Sequence, residues 1–140
     1  MGSRRRGRVL AFQALFSYDV SSQPLEELLE YPWLTPEERD KFPDDSQLFA
    51  RFLISGTLEK INEVDDLIKE QLENWDFSRL ARVDLALLRL SVYSLKYQKD
   101  IPHTVTIDEA VDLARDYGSD DSYRFINGVL DGVRKRLDND

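Results

Sequence analysis

Apolar residues recur on nearly every side of a helical wheel between Leu80 and Tyr97, LARVDLALLRLSVYSLKY. Leu80, Val83, Leu87, Leu90 and Tyr97 are joined there by Ala86, Leu88, Val92, Tyr93 and Leu95. A helix apolar almost all round belongs in the middle of a domain. At about 27 Å long it would cross one from side to side. Arg82, Asp84, Arg89 and Lys96 interrupt the run, so it does not read as a membrane span. This stretch is expected to be the central helix on which the others pack.

The other helices follow from shorter patterns. Val9, Phe12 and Phe16, widened by Leu15, predict a first helix over 8–18. Pro24, Pro32 and Pro43 break up 20–45, which is expected to hold short helices and loop. Within it, Thr35-Pro36-Glu37-Glu38 is a complete helix-start signal: a capping threonine, proline at the first position and glutamate three residues on. Asp44 and Asp45 are placed to cap the next helix, whose expected buried face is Leu48, Phe49, Phe52, Leu53 and Ile61, with Gly56 as a point of close approach. Val64, Leu67, Ile68 and Leu72 continue the stripe, either in one bent helix or in a second one restarting near Asn62.

Trp75-Asp76-Phe77-Ser78 reads as a turn whose aromatics plug the end of the core. Thr106-Ile107-Asp108-Glu109 predicts another capped start, and Gly118 a left-handed stop. The last helix buries Ile126, Val129, Leu130, Val133 and Leu137, with Gly128 and Gly132 on one side and Arg134-Lys135-Arg136 at its end. No segment alternates over strand length. The chain is therefore expected to be all-α, a single domain of about seven helices, five of them substantial.

Composition narrows the chemistry. The 140 residues contain no cysteine and one histidine, which excludes thiol catalysis, Cys-ligated zinc or iron–sulfur sites and a multi-histidine metal centre. His103 stands beside Pro102 in an expected loop, with no nucleophile elbow to serve it. Adjacent carboxylates such as Asp65-Asp66 and Asp120-Asp121 read as solvated helix starts. No P-loop and no dinucleotide fingerprint is present. No cofactor, no metal and no enzymatic activity is expected. The N-terminus lacks the apolar stretch of a signal peptide.

Charge changes the picture. The net charge of −8 argues against nucleic acid, but its distribution does not. Arg4, Arg5, Arg6 and Arg8 place +4 within five residues, and the other 15 basic residues against 27 acidic ones leave −12. A basic arm (1–8) on an acidic body suits phosphate binding. The start of the last helix, Asp121-Ser122-Tyr123-Arg124-Phe125, combines free backbone donors, a guanidinium and aromatic rings, the groups that hold unpaired RNA bases. Against this, an aromatic at the position of Phe125 is more often a core residue. Arg89, among leucines, needs a partner, either in a structural ion pair with another helix or at a binding rim.

Four motifs, in order and at their spacing, carry a resemblance over about 125 residues. They are the arginine-rich start running into Ala11-Phe12-Gln13-Ala14-Leu15-Phe16, the segment Val83 to Leu90, Ile101-Pro102 leading to Val105 through Ala110, and Tyr117-Gly118 followed by Asp121 through Asp131. In these the chain resembles the NusB family of bacterial transcription antitermination factors. The resemblance implies two packed helical subdomains, about 9–76 and 77–137, and a non-enzymatic, cytoplasmic RNA-binding adaptor. Its implied partners are single-stranded boxA RNA, the ribosomal protein NusE and the antitermination complex on RNA polymerase. Some family members form homodimers that hide the RNA surface.

Carried onto this chain, the resemblance assigns Arg4, Arg5, Arg6, Arg8, Asp121, Ser122, Arg124 and Phe125 to RNA. It assigns Asp84 and Arg89 to a protein-partner face or an ion pair. Two other readings stand beside it: a protein-only helical adaptor or homodimer without direct RNA binding, and the RNA-binding part of a modifying enzyme, for whose catalytic domain 140 residues leave no room.

Overall fold

A computed structural model describes residues 2–73 and 75–138. Eight α-helices occur among them: α1 Ser3–Ser21, α2 Leu25–Leu28, α3 Pro36–Asp40, α4 Asp44–Glu59, α5 Ile61–Gln71, α6 Arg82–Tyr97, α7 His103–Tyr117 and α8 Ser122–Asp138. A 3-10 turn, Phe77–Arg79, precedes α6. No strand is present among the described residues.

α6 is the central element, as its apolar pattern requires. Every residue from Asp84 to Val92 is buried, and α1, α4, α5, α7 and α8 all pack on it. One continuous apolar cluster runs from Val9, Leu10 and Leu15 of α1 through Leu87, Leu88 and Val92 of α6 to Ile126, Leu130 and Val133 of α8. Burying each such aliphatic side chain contributes about 1.5–3 kcal/mol. Gly56 makes the α4–α6 approach possible, since a Cβ there would overlap the Tyr93 phenol. A Cβ at Gly132 would displace only the end of the flexible Gln71 side chain, and Gly128 faces open space.

The 20–45 stretch holds two short helices. The Thr35 signal forms in full: the Glu38 N–H donates to Thr35 Oγ1 at 3.1 Å and the Thr35 N–H to Glu38 Oε1 at 3.0 Å, with Pro36 at the first position. Tyr31 is fully buried in a left-handed conformation (φ 52°) and donates its hydroxyl to the Gln47 carbonyl at 2.8 Å. α4 and α5 are separate helices that meet at Lys60, and neither starts with a side-chain cap.

Several local expectations are corrected. α1 begins five residues before Arg8, so residues 3–8 of the expected arm are helical, with Gly2 extended before them; Met1 lies outside the described residues. Leu48 and Phe52 are 56% and 64% exposed: they sit on the outer side of α4, while Ala50, Leu53 and Ile54 face the core. α7 begins at His103 with Pro102 as its cap residue, which places Thr106 inside the helix, buried and unable to cap. Gly118 is extended (φ −93°), not left-handed. Its hydrogen atom is needed for packing, because a Cβ would strike Ser122. Trp75 does not plug the core but is 60% exposed, and Asp76 caps the 3-10 turn by accepting from the Ser78 N–H at 3.0 Å.

Candidate functional site

The arginines occupy the first two turns of α1. Helix N-termini disfavour cations, and this one has neither an acidic residue in its first turn nor a side-chain cap. The rest of the fold supplies what the local sequence lacks. Arg5 Nε donates to Glu109 Oε2 at 2.7 Å, and Arg5 Nη2 to Asp112 Oδ2 at 2.5 Å. These contacts raise the Arg5 pKa above its ordinary value. The Arg4 guanidinium lies over the Phe49 ring, 4.6 Å from its centre, with its side chain exposed. Arg8 approaches the same ring at 5.5 Å but is buried, and burial lowers its pKa. Arg6 is half-buried and reaches the Lys41 carbonyl at 3.5 Å. Gly7 lets this end of α1 close onto Phe49 and Ser46. The four charges therefore sit on an ordered helical turn in four different environments.

The second cluster lies where α7 turns into α8. The Ser119 N–H donates to Ser122 Oγ at 3.0 Å, which closes the turn. Ser122 is buried; Asp121 and Arg124 are exposed. Phe125 is half-buried, packed on the core on one side and against Trp75 on the other, with ring centres 5.3 Å apart. Part of the Phe125 ring is core, and part belongs to an aromatic pair with Trp75. Tyr123 is flanked by the Arg115 guanidinium at 4.6 Å and the Arg124 guanidinium at 5.4 Å. Trp75 was not singled out for this site. It is fifty residues from Phe125, and only its being a large aromatic beside a turn residue hinted at a surface role.

Asp84 and Arg89 do not pair with one another. Arg89 makes a two-pronged ion pair with Asp65 of α5, and Asp19 of α1 lies 3.8 Å from its Nη1. The structural ion pair to other helices is what the structure contains. Asp84 instead faces Ser122. Its carboxyl is buried, Oδ1 has no hydrogen-bond partner, and burial pushes its pKa up while the Ser122 hydroxyl opposes that rise. Asp84 thereby joins the α8 start, not a charged surface.

A further surface escaped the sequence reading. Phe12, Phe16 and Val20 follow one another every four residues along α1. With Trp33, Val83 and Tyr117 they line an open apolar groove. The Phe12 and Tyr117 rings meet at 5.1 Å, and Asp19 and Arg82, next in sequence to the lining residues Val20 and Val83, lie 3.6 Å apart. The signal was available: the apolar arc of α1 is too wide for one buried face. Among the described residues there is no grouping of side chains able to hold a metal ion, and no helix is long and apolar enough to cross a membrane.

Comparison with known proteins places this arrangement. The model of the NusB family matches residues 5–135. The transcription antitermination protein NusB of Treponema denticola is 50% identical over 134 residues, covering 95% of this chain and 96% of the relative. Thermotoga maritima NusB superposes with a TM-score of 0.84 at 41% identity, covering 94% of this chain and 90% of that one. A chain from the crystal structure of antitermination factors NusB and NusE in complex with double-stranded RNA superposes with a TM-score of 0.85 at 27% identity, covering 97% and 98%.

Proposed function

The chain belongs to the NusB family of transcription antitermination factors, and from that premise we propose that it is a non-enzymatic cytoplasmic adaptor that binds boxA-type single-stranded RNA together with the ribosomal protein NusE. In this reading it holds the RNA within the antitermination complex on RNA polymerase and supports processive transcription of ribosomal RNA operons. Residues 9–76 and 77–137 act as its two helical subdomains.

The observation that carries the reading is the state of the two family motifs at the surface. Arg4 is exposed on an ordered first turn of α1, with Arg6 half-buried beside it, and Asp121, Arg124 and the Trp75–Phe125 pair are presented where α8 begins. The arginines supply salt-dependent affinity that is blind to sequence. The aromatic pair and the polar groups at the α8 start supply selectivity for unpaired bases. The apolar groove beside Asp19 and Arg82 takes the protein partner. An acidic body of this net charge suits a basic ribosomal protein. Because the partner extends the RNA surface, each ligand strengthens binding of the other.

Fluorescence anisotropy of a short boxA-like RNA, titrated with the protein with and without NusE, over a salt series and against a scrambled RNA, tests this directly. The expected result is weak binding alone that NusE strengthens and makes sequence-selective. Partner binding that RNA never influences would replace this reading with a protein-only adaptor. A homodimer that binds neither ligand would replace it with a self-associating module.

A further inference from the structure

We propose that Arg5 is not an RNA contact but a positioning residue, a tether that holds the start of α1 helical so that Arg4 and Arg6 are presented to phosphate. The proposal rests on the RNA-binding reading above and divides the labour within its arginine cluster.

Two observations carry it. The first is that Arg5 is already engaged. Glu109 and Asp112 stand three residues apart on α7, so both carboxylates lie on one face of that helix. They receive Nε and Nη2 of a single guanidinium at 2.7 and 2.5 Å. The Arg5 side chain keeps 33% of its exposure, and Glu109 keeps 20%. A phosphate would have to displace two short charge-assisted hydrogen bonds to take those donors.

The second observation is that the first turn of α1 needs such a tie. It carries Arg4, Arg5 and Arg6 at the positive end of the helix dipole, with no acid and no side-chain cap to offset them. Besides its backbone hydrogen bonds, contacts from elsewhere in the fold hold it: the Arg5 pairs, the Ser46 hydroxyl donating to the Ser3 carbonyl at 2.7 Å, Arg6 donating to the Lys41 carbonyl, and the packing of Arg4, Gly7 and Arg8 on Phe49. Of these, the Arg5 pairs alone remove positive charge from the turn. The buried face of α1 sets the rotation of the helix; the Arg5 pairs tie its first turn to α7, and with it residues 4 and 6.

The test compares three variants of the full chain. Arg5→Gln removes the tether. Glu109→Gln with Asp112→Asn removes it from the other side and leaves every arginine in place. Arg5→Glu with Glu109→Arg and Asp112→Asn rebuilds it with reversed polarity. Anisotropy with boxA-like RNA over a salt series is paired with hydrogen exchange of the Arg6 to Arg8 amides, measured without RNA.

The first two variants are expected to weaken RNA binding by a similar factor, about three- to tenfold, the size two partly exposed ion pairs transmit. The slope of log affinity against log salt should stay unchanged, exchange should quicken, and the rebuilt tether should restore both affinity and protection. A slope smaller by about 0.7 in Arg5→Gln, one phosphate contact on a single strand, would overturn the proposal. So would tighter binding when the two acids are neutralised, since that would mean they compete with RNA for Arg5. If the wild-type protein binds no RNA, the functional reading fails by itself. The exchange measurement then decides the tether: equal exchange in all four proteins rejects it.

Discussion

Arg89 of α6 and Asp65 of α5 meet fork to fork, Nε to Oδ1 at 2.9 Å and Nη2 to Oδ2 at 3.0 Å, with only 10% and 16% of the two side chains exposed. Asp19 adds a longer contact from α1, so one guanidinium ties three helices together. Taking one partner away from such a pair leaves a nearly buried charge with nothing to neutralise it. Arg89→Leu is expected to cost about 3 kcal/mol in urea unfolding. Pairing it with Asp65→Leu should return most of that loss, because the packed apolar replacement has no stranded charge. A double variant as unstable as the single one would mean that the Arg89 stem, not its charge, holds the helices.

Asp84 gives a pH dependence of definite sign. Burial raises its pKa in the folded protein above the value it has unfolded, so the folded state holds the proton more tightly. The stability this contributes is fully present below the ordinary aspartate range, near pH 4, and is lost as pH rises through the raised folded value. Above that value the folded protein carries an ionised, poorly solvated carboxylate. Asp84→Asn cannot ionise. Its stability relative to wild type should therefore climb from about pH 4 until the raised folded value is passed, and then level off. Parallel stability curves for the two proteins across that range would show that Asp84 does not titrate differently on folding.

The Trp75–Phe125 pair offers an optical reading of the RNA site. The chain has two tryptophans, and Trp33 donates its indole N–H to Gln13 beside the apolar groove. In a Trp33→Phe background the emission comes from Trp75 alone. Saturating boxA-like RNA is expected to quench it, and Trp75→Ala or Phe125→Ala to cost about 1–3 kcal/mol of RNA affinity for each stacked base. Unchanged Trp75 emission at saturation would place the pair off the RNA path.

What the chain revealed of itself depended on how locally each feature is determined. The central helix was legible because Leu80 to Tyr97 is apolar all round, and Thr35-Pro36-Glu38 because a capping box needs only four residues. The start of α1 was not. Three arginines at a helix start argue against helix until Glu109, Asp112 and Phe49 are known to lie beside them. The start of α7 misled for the opposite reason: Thr106 and Glu109 form a good local signal, but Pro102 permits an earlier start that buries Ile107, Ala110 and Leu113. At the site, the motifs at Arg4 to Arg8 and Asp121 to Phe125 could be read as runs of residues. Their partners could not, since Asp65 lies 24 residues from Arg89 and Trp75 fifty from Phe125. The groove fell between the two: Phe12, Phe16 and Val20 are a visible stripe, but only the fold shows that Phe12 is buried while Phe16 is half-buried and Val20 stays exposed.

The dependence of every long helix on α6 has a consequence for the protein's birth. Leu10, Ala11 and Leu15 are made first, yet the core that encloses them also requires Leu87, Leu88 and Val92 of α6. At about 5–20 residues per second, some 4–16 s of synthesis separate the two. α4, made in between, can shield part of α1 earlier, since the two helices pack together. The remainder of that apolar face stays bare on the ribosome until α6 follows. The nascent chain, more than the finished protein, is where this sequence is most open to aggregation.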